Sequence, residues 1–131
     1  MISVKMQGYK VDYINFISTL ENGTKIKLGQ KYQYNVQYSK DNSMCRGQFE
    51  IEVFDTEHQD KFNIKAVVVG FFHFDCDERR ETIHADSFKA LFPYVKALIT
   101  TITANCGIKP IIIPEIDIDN QEIYRFDGNS Q

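Results

Sequence analysis

Residues 91–119, LFPYVKALITTITANCGIKPIIIPEIDID, change character halfway along. Together with the residues just before them, they place Phe88, Leu91, Phe92, Val95, Leu98, Ile99 and Ile102 at steps of three and four, the spacing that gathers side chains on one face of a helix. Asp86 or Ser87 is the expected N-cap and Gly107 the expected C-cap. Pro93 falls inside the pattern, so either the helix kinks there or its regular part begins near it. Thr100, Thr101 and Thr103 lower the intrinsic propensity, which implies that packing holds the helix in place. From Ile108 onward, Pro110 and Pro114 forbid a continuing helix. The run IKPIIIPEIDID is too apolar for a free loop and is expected to be extended and to lie over another surface.

The preceding half carries a period of two. In KYQYNVQYS, residues 31–39, Tyr32, Tyr34, Val36 and Tyr38 fall on one face, with Gln33, Asn35 and Gln37 on the other. GQFEIEVFD, residues 47–55, repeats the pattern after a turn-like KDNS, so the two segments are expected to pair as a hairpin. A long first strand is expected over residues 3–18, with a bulge marked by Gly8. A turn at Asn22-Gly23 should be followed by a short returning segment through Ile26 and Leu28. A fourth strand, FNIKAVVVGFFHFD at residues 62–75, begins by alternating and becomes apolar on both faces from Ala66 to Phe72. A helix covers one such face, and a small domain has little left for the other. A subunit contact through Ala66, Val68 and Gly70 is therefore expected, with strand-to-helix packing as the competing account. Strands followed by a long helix define an α+β domain with an antiparallel sheet and the helix on one face.

Composition narrows the function. The 131 residues suit one domain, 1–131, and the last ten or so residues are expected to fray after at most a helical turn. A net charge of −3 argues against a phosphate-binding surface, so nucleic acid is not an expected partner. The N-terminal alternation is not a signal peptide and no stretch reaches membrane-spanning length, so a cytoplasmic protein without membrane insertion is expected. Cys45, Cys76 and Cys106 are widely spaced and read as free thiols. His73, Cys76 and His84 offer an H-x-x-C spacing but no full ligand set, so no metal is expected. There is no nucleophile elbow, phosphate-binding glycine loop or zincin motif, so neither an enzyme nor a cofactor is expected.

The ordered combination of an L-F-P-Y helix, a glycine and proline-spaced isoleucines in residues 91–119 resembles the SecB export-chaperone family. VVVGFFHF resembles that family's glycine-containing fourth strand and KMQGYKVDYINF its first. The resemblance implies four antiparallel strands, a long helix and an extended crossover loop. It also implies a cytoplasmic, ATP-independent holdase, assembled as a homodimer or homotetramer (a dimer of dimers), that binds unfolded polypeptide clients along apolar grooves. Such a groove binds exposed apolar side chains without demanding one sequence. By position in the helix and crossover, the groove residues implied are Phe88, Phe92, Tyr94, Ile111, Ile113, Ile116 and Ile118, each set against ordinary core packing. Serine at both Ile111 and Ile113 should then weaken client binding while sparing stability.

The chain departs from the family where typical members carry acidic residues for the export motor ATPase SecA. The approximately matching positions are Tyr13, Ile17 and Lys65, which do not suit that docking. An antitoxin of a toxin–antitoxin pair is an alternative client. The competing functions are an oligomeric adaptor for one folded partner and a small apolar-ligand binder of hot-dog type. Chain order disfavours the latter, because a hot-dog domain sets its main helix between early strands.

Overall fold

The computed structural model describes residues 4–21, 23–40, 43–75, 78–114 and 116. The elements are β1 (Val4–Ser18), β2 (Leu28–Tyr38), β3 (Met44–Asp55), β4 (Phe62–Phe74) and α1 (Arg80–Ala104). The strands form one antiparallel sheet in the order β1-β4-β3-β2, and α1 packs on one face.

β2 and β3 are the expected hairpin, in unbroken register from Leu28↔Asp55 to Tyr38↔Cys45. The pairs Tyr32↔Ile51, Tyr34↔Phe49 and Val36↔Gly47 set both apolar rows on the same face. The turn residues Asn22, Asp41 and Asn42 lie outside the described residues. Gly23, at φ +85°, takes the left-handed backbone that closes the 21–24 turn, where the Thr24 N–H donates to the Glu21 carbonyl. β2 begins at Leu28, so of the expected returning segment Leu28 opens that strand and Ile26 precedes it.

β1 breaks register with β4 twice, between Met6 and Gly8, as Gly8 suggested, and between Val11 and Tyr13. The second break shifts the alternation. Tyr9, Val11, Ile14 and Phe16 pair with Gly70, Val68, Ala66 and Ile64 on the helix side, while Tyr13 pairs with Val67 on the other. β1 thus carries apolar side chains on both faces.

β4 is an interior strand. Ala66, Val68 and Gly70, expected at a subunit contact, lie beneath α1 of the same chain, and Ala66 is fully buried. A Cβ on Gly70 would stand 2.8 Å from the Phe72 ring and 3.2 Å from Leu91, so glycine there permits the close approach of helix and sheet. On the far face Val69 is also fully buried, flanked in register by Lys10 and Gln48. That face carries the ion pairs Lys65–Glu50 at 3.4 Å and Arg46–Asp12 at 3.5 Å. Much of β4's second apolar face is therefore covered within the chain.

α1 starts at Arg80, about two turns earlier than the expected cap at Asp86 or Ser87 implies. Arg79 precedes it without a side-chain cap hydrogen bond. Tertiary contacts replace the cap: the Arg80 guanidinium lies 3.6 Å from the centre of the Tyr38 ring, and Ile83 is fully buried. Ser87, instead of capping, is buried and accepts a 2.6 Å hydrogen bond from the Tyr34 hydroxyl. The helix runs through Pro93, which sits on its exposed side. Phe49, Phe88 and Phe92 form the aromatic centre of the core, with Phe88 stacked on Phe92 at 5.3 Å and edge-on to Phe49 at 5.2 Å.

Candidate functional site

Two apolar features distinguish this molecule from a plain sheet-and-helix domain. The first is an open groove. Tyr94, Ala97, Leu98 and Thr101, spaced as one helical stripe, face Tyr9 and Val11 of β1 across a cavity of about 200 Å³ floored by Val68. Tyr9 and Tyr94 meet with ring centroids 4.6 Å apart, yet remain 45% and 43% exposed. Val11 and Ile14 extend the exposed apolar surface along the same face of β1, and Tyr13 and Ile17 form a second patch on the opposite face. Single exposed apolar residues are ordinary, but Tyr9, Val11 and Ile14 on one face of an edge strand, with Tyr94 beside them, form a contiguous apolar patch.

The second feature is the strap that follows α1. Asn105 ends the helix and Gly107, at φ +80°, turns the chain back, two residues beyond the C-cap. Ile111 and Ile113 are 8% and 1% exposed and Ile112 is 73% exposed, the alternation of an extended segment lying on a core. Two threonines one turn apart hold its backbone. The Thr100 hydroxyl donates to the Ile111 carbonyl at 2.7 Å, and the Ile111 N–H donates to the Thr103 Oγ1 at 2.8 Å. Thr103, fully buried, donates in turn to the Ile99 carbonyl at 2.9 Å. Residues that weaken the helix in sequence therefore carry the strap.

The site residues drawn from the sequence fall into different environments. Tyr94 lines the groove, with Val68 at its floor. Phe88 and Phe92 are core residues, and so are Ile111 and Ile113, which corrects the expectation that serine at the last two would spare stability. Ile116 is partly buried against the same core, and Ile118 lies outside the described residues. The groove residues that sequence reasoning missed are Tyr9, Val11, Ala97, Leu98 and Thr101. The second bulge of β1, which no glycine announces, is what places Tyr9 and Val11 on one side and Tyr13 on the other.

The buried polar groups serve packing. Burial pushes the Cys45 thiol up to about 11, against an opposing pull from Arg80, so it is protonated at neutral pH. Burial likewise raises the Tyr34 hydroxyl and lowers the His84 imidazole. Cys76 of the H-x-x-C spacing lies outside the described residues, and among those described no three His, Cys, Asp or Glu side chains converge on a metal position. Among the described residues no helix is long and apolar enough to cross a membrane.

This architecture is the SecB-like fold. The Mycobacterium tuberculosis Rv1957 SecB-like chaperone, solved in complex with a ChAD peptide from the Rv1956 HigA1 antitoxin, matches at a TM-score of 0.67 over 88% of this chain and 91% of that one, with 10% identity. A protein of unknown function from Streptococcus agalactiae matches at a TM-score of 0.49 and 16% identity, over 86% of this chain and 97% of that one. No family model matches the sequence. The chain belongs to the same family as the uncharacterized protein MJ0357 of Methanocaldococcus jannaschii, with 33% identity over 125 residues that span 88% of this chain and 80% of that protein.

Proposed function

We propose that this protein is an ATP-independent holdase that binds unfolded or non-native polypeptide through apolar surface. The observation that carries the reading is the open groove of Tyr9, Val11, Tyr94 and Leu98, presented on a SecB-like fold. A non-native chain exposes apolar side chains, and a groove lined by aromatic and aliphatic groups gains free energy from covering them without reading their order. Rv1957 was solved with an antitoxin peptide, which supports a client engaged as a peptide and makes an antitoxin one candidate alongside preproteins for export. Tyr13 and Ile17 are exposed apolar residues, and Lys65 is paired with Glu50, so SecA affinity is expected to be weak or absent.

The direct test titrates one polypeptide, held unfolded by reduction and carboxymethylation, and separately in its native form. Saturable binding of the unfolded form with none of the native form supports the holdase; the reverse preference replaces it with an adaptor for a folded partner. A second reading, that β1 also joins subunits into a dimer or tetramer in the cytoplasm, is favoured by the apolar exposure on both faces of that strand. Light scattering at micromolar concentration decides it, a monomer mass refuting assembly.

A further inference from the structure

The strap offers a second apolar site of a different kind from the groove, because it is closed. Ile111 has both backbone groups tied to α1, and the two ties are threonine hydroxyls on successive turns. Neither tie is part of a helix or sheet ladder, so both can break without disturbing the sheet. Ile112 is exposed while Ile111 and Ile113 point inward, so lifting the segment would uncover those two isoleucines and the part of the core they cover. Pro110 and Pro114 bracket the pair. Their fixed φ and the extended preference of the residues before them keep an undocked strap close to its docked shape. We propose that the Thr100–Thr103 pair is a latch over a cryptic apolar site, and that release of residues 108–114 exposes it to apolar segments of a client polypeptide.

The two hydroxyls are unequal. Thr103 is fully buried and satisfies a main-chain N–H inside the protein, whereas Thr100 is partly exposed and water can replace its bond to the Ile111 carbonyl. Thr103→Val keeps the shape and removes the acceptor, Thr103→Ser restores the hydroxyl, and Thr100→Val removes the outer bond alone. The client part of the proposal rests on the holdase reading, so the latch is read out separately.

Amide exchange of the full-length protein is followed together with binding of an apolar fluorescent dye, and then with titration of the reduced, carboxymethylated polypeptide. In Thr103→Val, exchange in residues 108–114 should accelerate about ten-fold or more, with β3 and β4 unchanged, and dye binding should rise. Thr100→Val should show a smaller acceleration and Thr103→Ser should match the parent. Polypeptide affinity should increase several-fold in Thr103→Val. Exchange of the strap in step with the sheet, or at the parent rate, overturns the latch. A released strap with unchanged or weaker polypeptide affinity overturns the cryptic client site while leaving the latch. Failure of the parent protein and every variant to bind any unfolded chain defeats the holdase reading and its client, and dye binding still decides whether the latch covers an apolar site.

Discussion

Ile113→Ala tests whether the strap belongs to the folded core. Ile113 is 1% exposed and grouped in one cluster with the sheet and helix residues, whereas Ile112, its chemical twin one position earlier, is 73% exposed. Truncating a fully buried isoleucine removes its transfer free energy and leaves a cavity, together roughly 2–5 kcal/mol. Here a ceiling applies. A strap that can lift away is never destabilised by more than the free energy of lifting it, because the protein can unfold from the strap-open state. That free energy caps the loss, so the expected value lies at the low end of this range. We expect a loss of about 2–3 kcal/mol for Ile113→Ala and less than about 0.5 kcal/mol for Ile112→Ala, from urea unfolding with an unchanged slope. The double substitution of Ile111 and Ile113 should cost less than the sum of the singles, since both act on one segment. Equal and negligible losses at 112 and 113 would refute the docked strap.

The remaining expectations probe other parts of the structure. Tyr94→Ser with Leu98→Ser should weaken unfolded-polypeptide binding at least several-fold with a stability change within about 1 kcal/mol, because both side chains are partly or largely exposed; calorimetric titration and urea unfolding read the two effects. Gly47→Ala should destabilise strongly, roughly 2–4 kcal/mol by urea unfolding, because a Cβ there collides with the Tyr34 ring and hydroxyl that reach Ser87; near-neutral behaviour would mean that the Tyr34–Ser87 bond is dispensable. The lowered pKa of His84 sets a pH dependence. The unfolded state takes up a proton near its ordinary value of about 6.5 while the buried imidazole stays neutral, so stability falls as pH drops below that value and levels off only once the folded state is protonated too. Urea midpoints at pH 7.5 and 5.5 should differ in the parent and differ less in His84→Gln.

Alternation and helical spacing made most of the fold legible. The rows Tyr32–Tyr38 and Phe49–Val53 pair as their pattern required, and the α1 face from Phe88 to Ile99 is buried as its spacing required, save for Leu98 at the groove. Three things were not legible, each for a reason of tertiary structure. The start of α1 at Arg80, ahead of the expected cap at Asp86 or Ser87, was hidden because Arg80 is held by the Tyr38 ring from a distant strand. The strap was expected to lie over another surface, as it does, but the resemblance set its isoleucines in a client groove, because local sequence does not register the two threonine hydroxyls that place Ile111 against α1. The groove was half legible: Tyr94 was singled out, but its partners on β1 depend on a register break at Asp12 that no glycine or proline marks.

The unequal guarding of the two apolar surfaces bears on function. β1 is an edge strand with apolar residues on both faces, a combination that invites indiscriminate edge pairing. Its two register breaks and the charged residues Lys5, Lys10 and Asp12 disturb the regular edge that such pairing needs. What remains available is side-chain surface, which suits a partner recognised by its apolar groups more than by a matching strand. In the run 111–113, Ile111 and Ile113 are instead folded inward, and hydrogen bonds hold the Ile111 backbone. A protein that showed both surfaces permanently would compete with its own clients for self-association, whereas one open groove and one latched site limit the apolar area exposed at rest. On this argument, substitutions that loosen the strap should raise client affinity and self-association together. Analytical centrifugation of Thr103→Val beside its binding curve would separate that coupling from a gain in affinity alone.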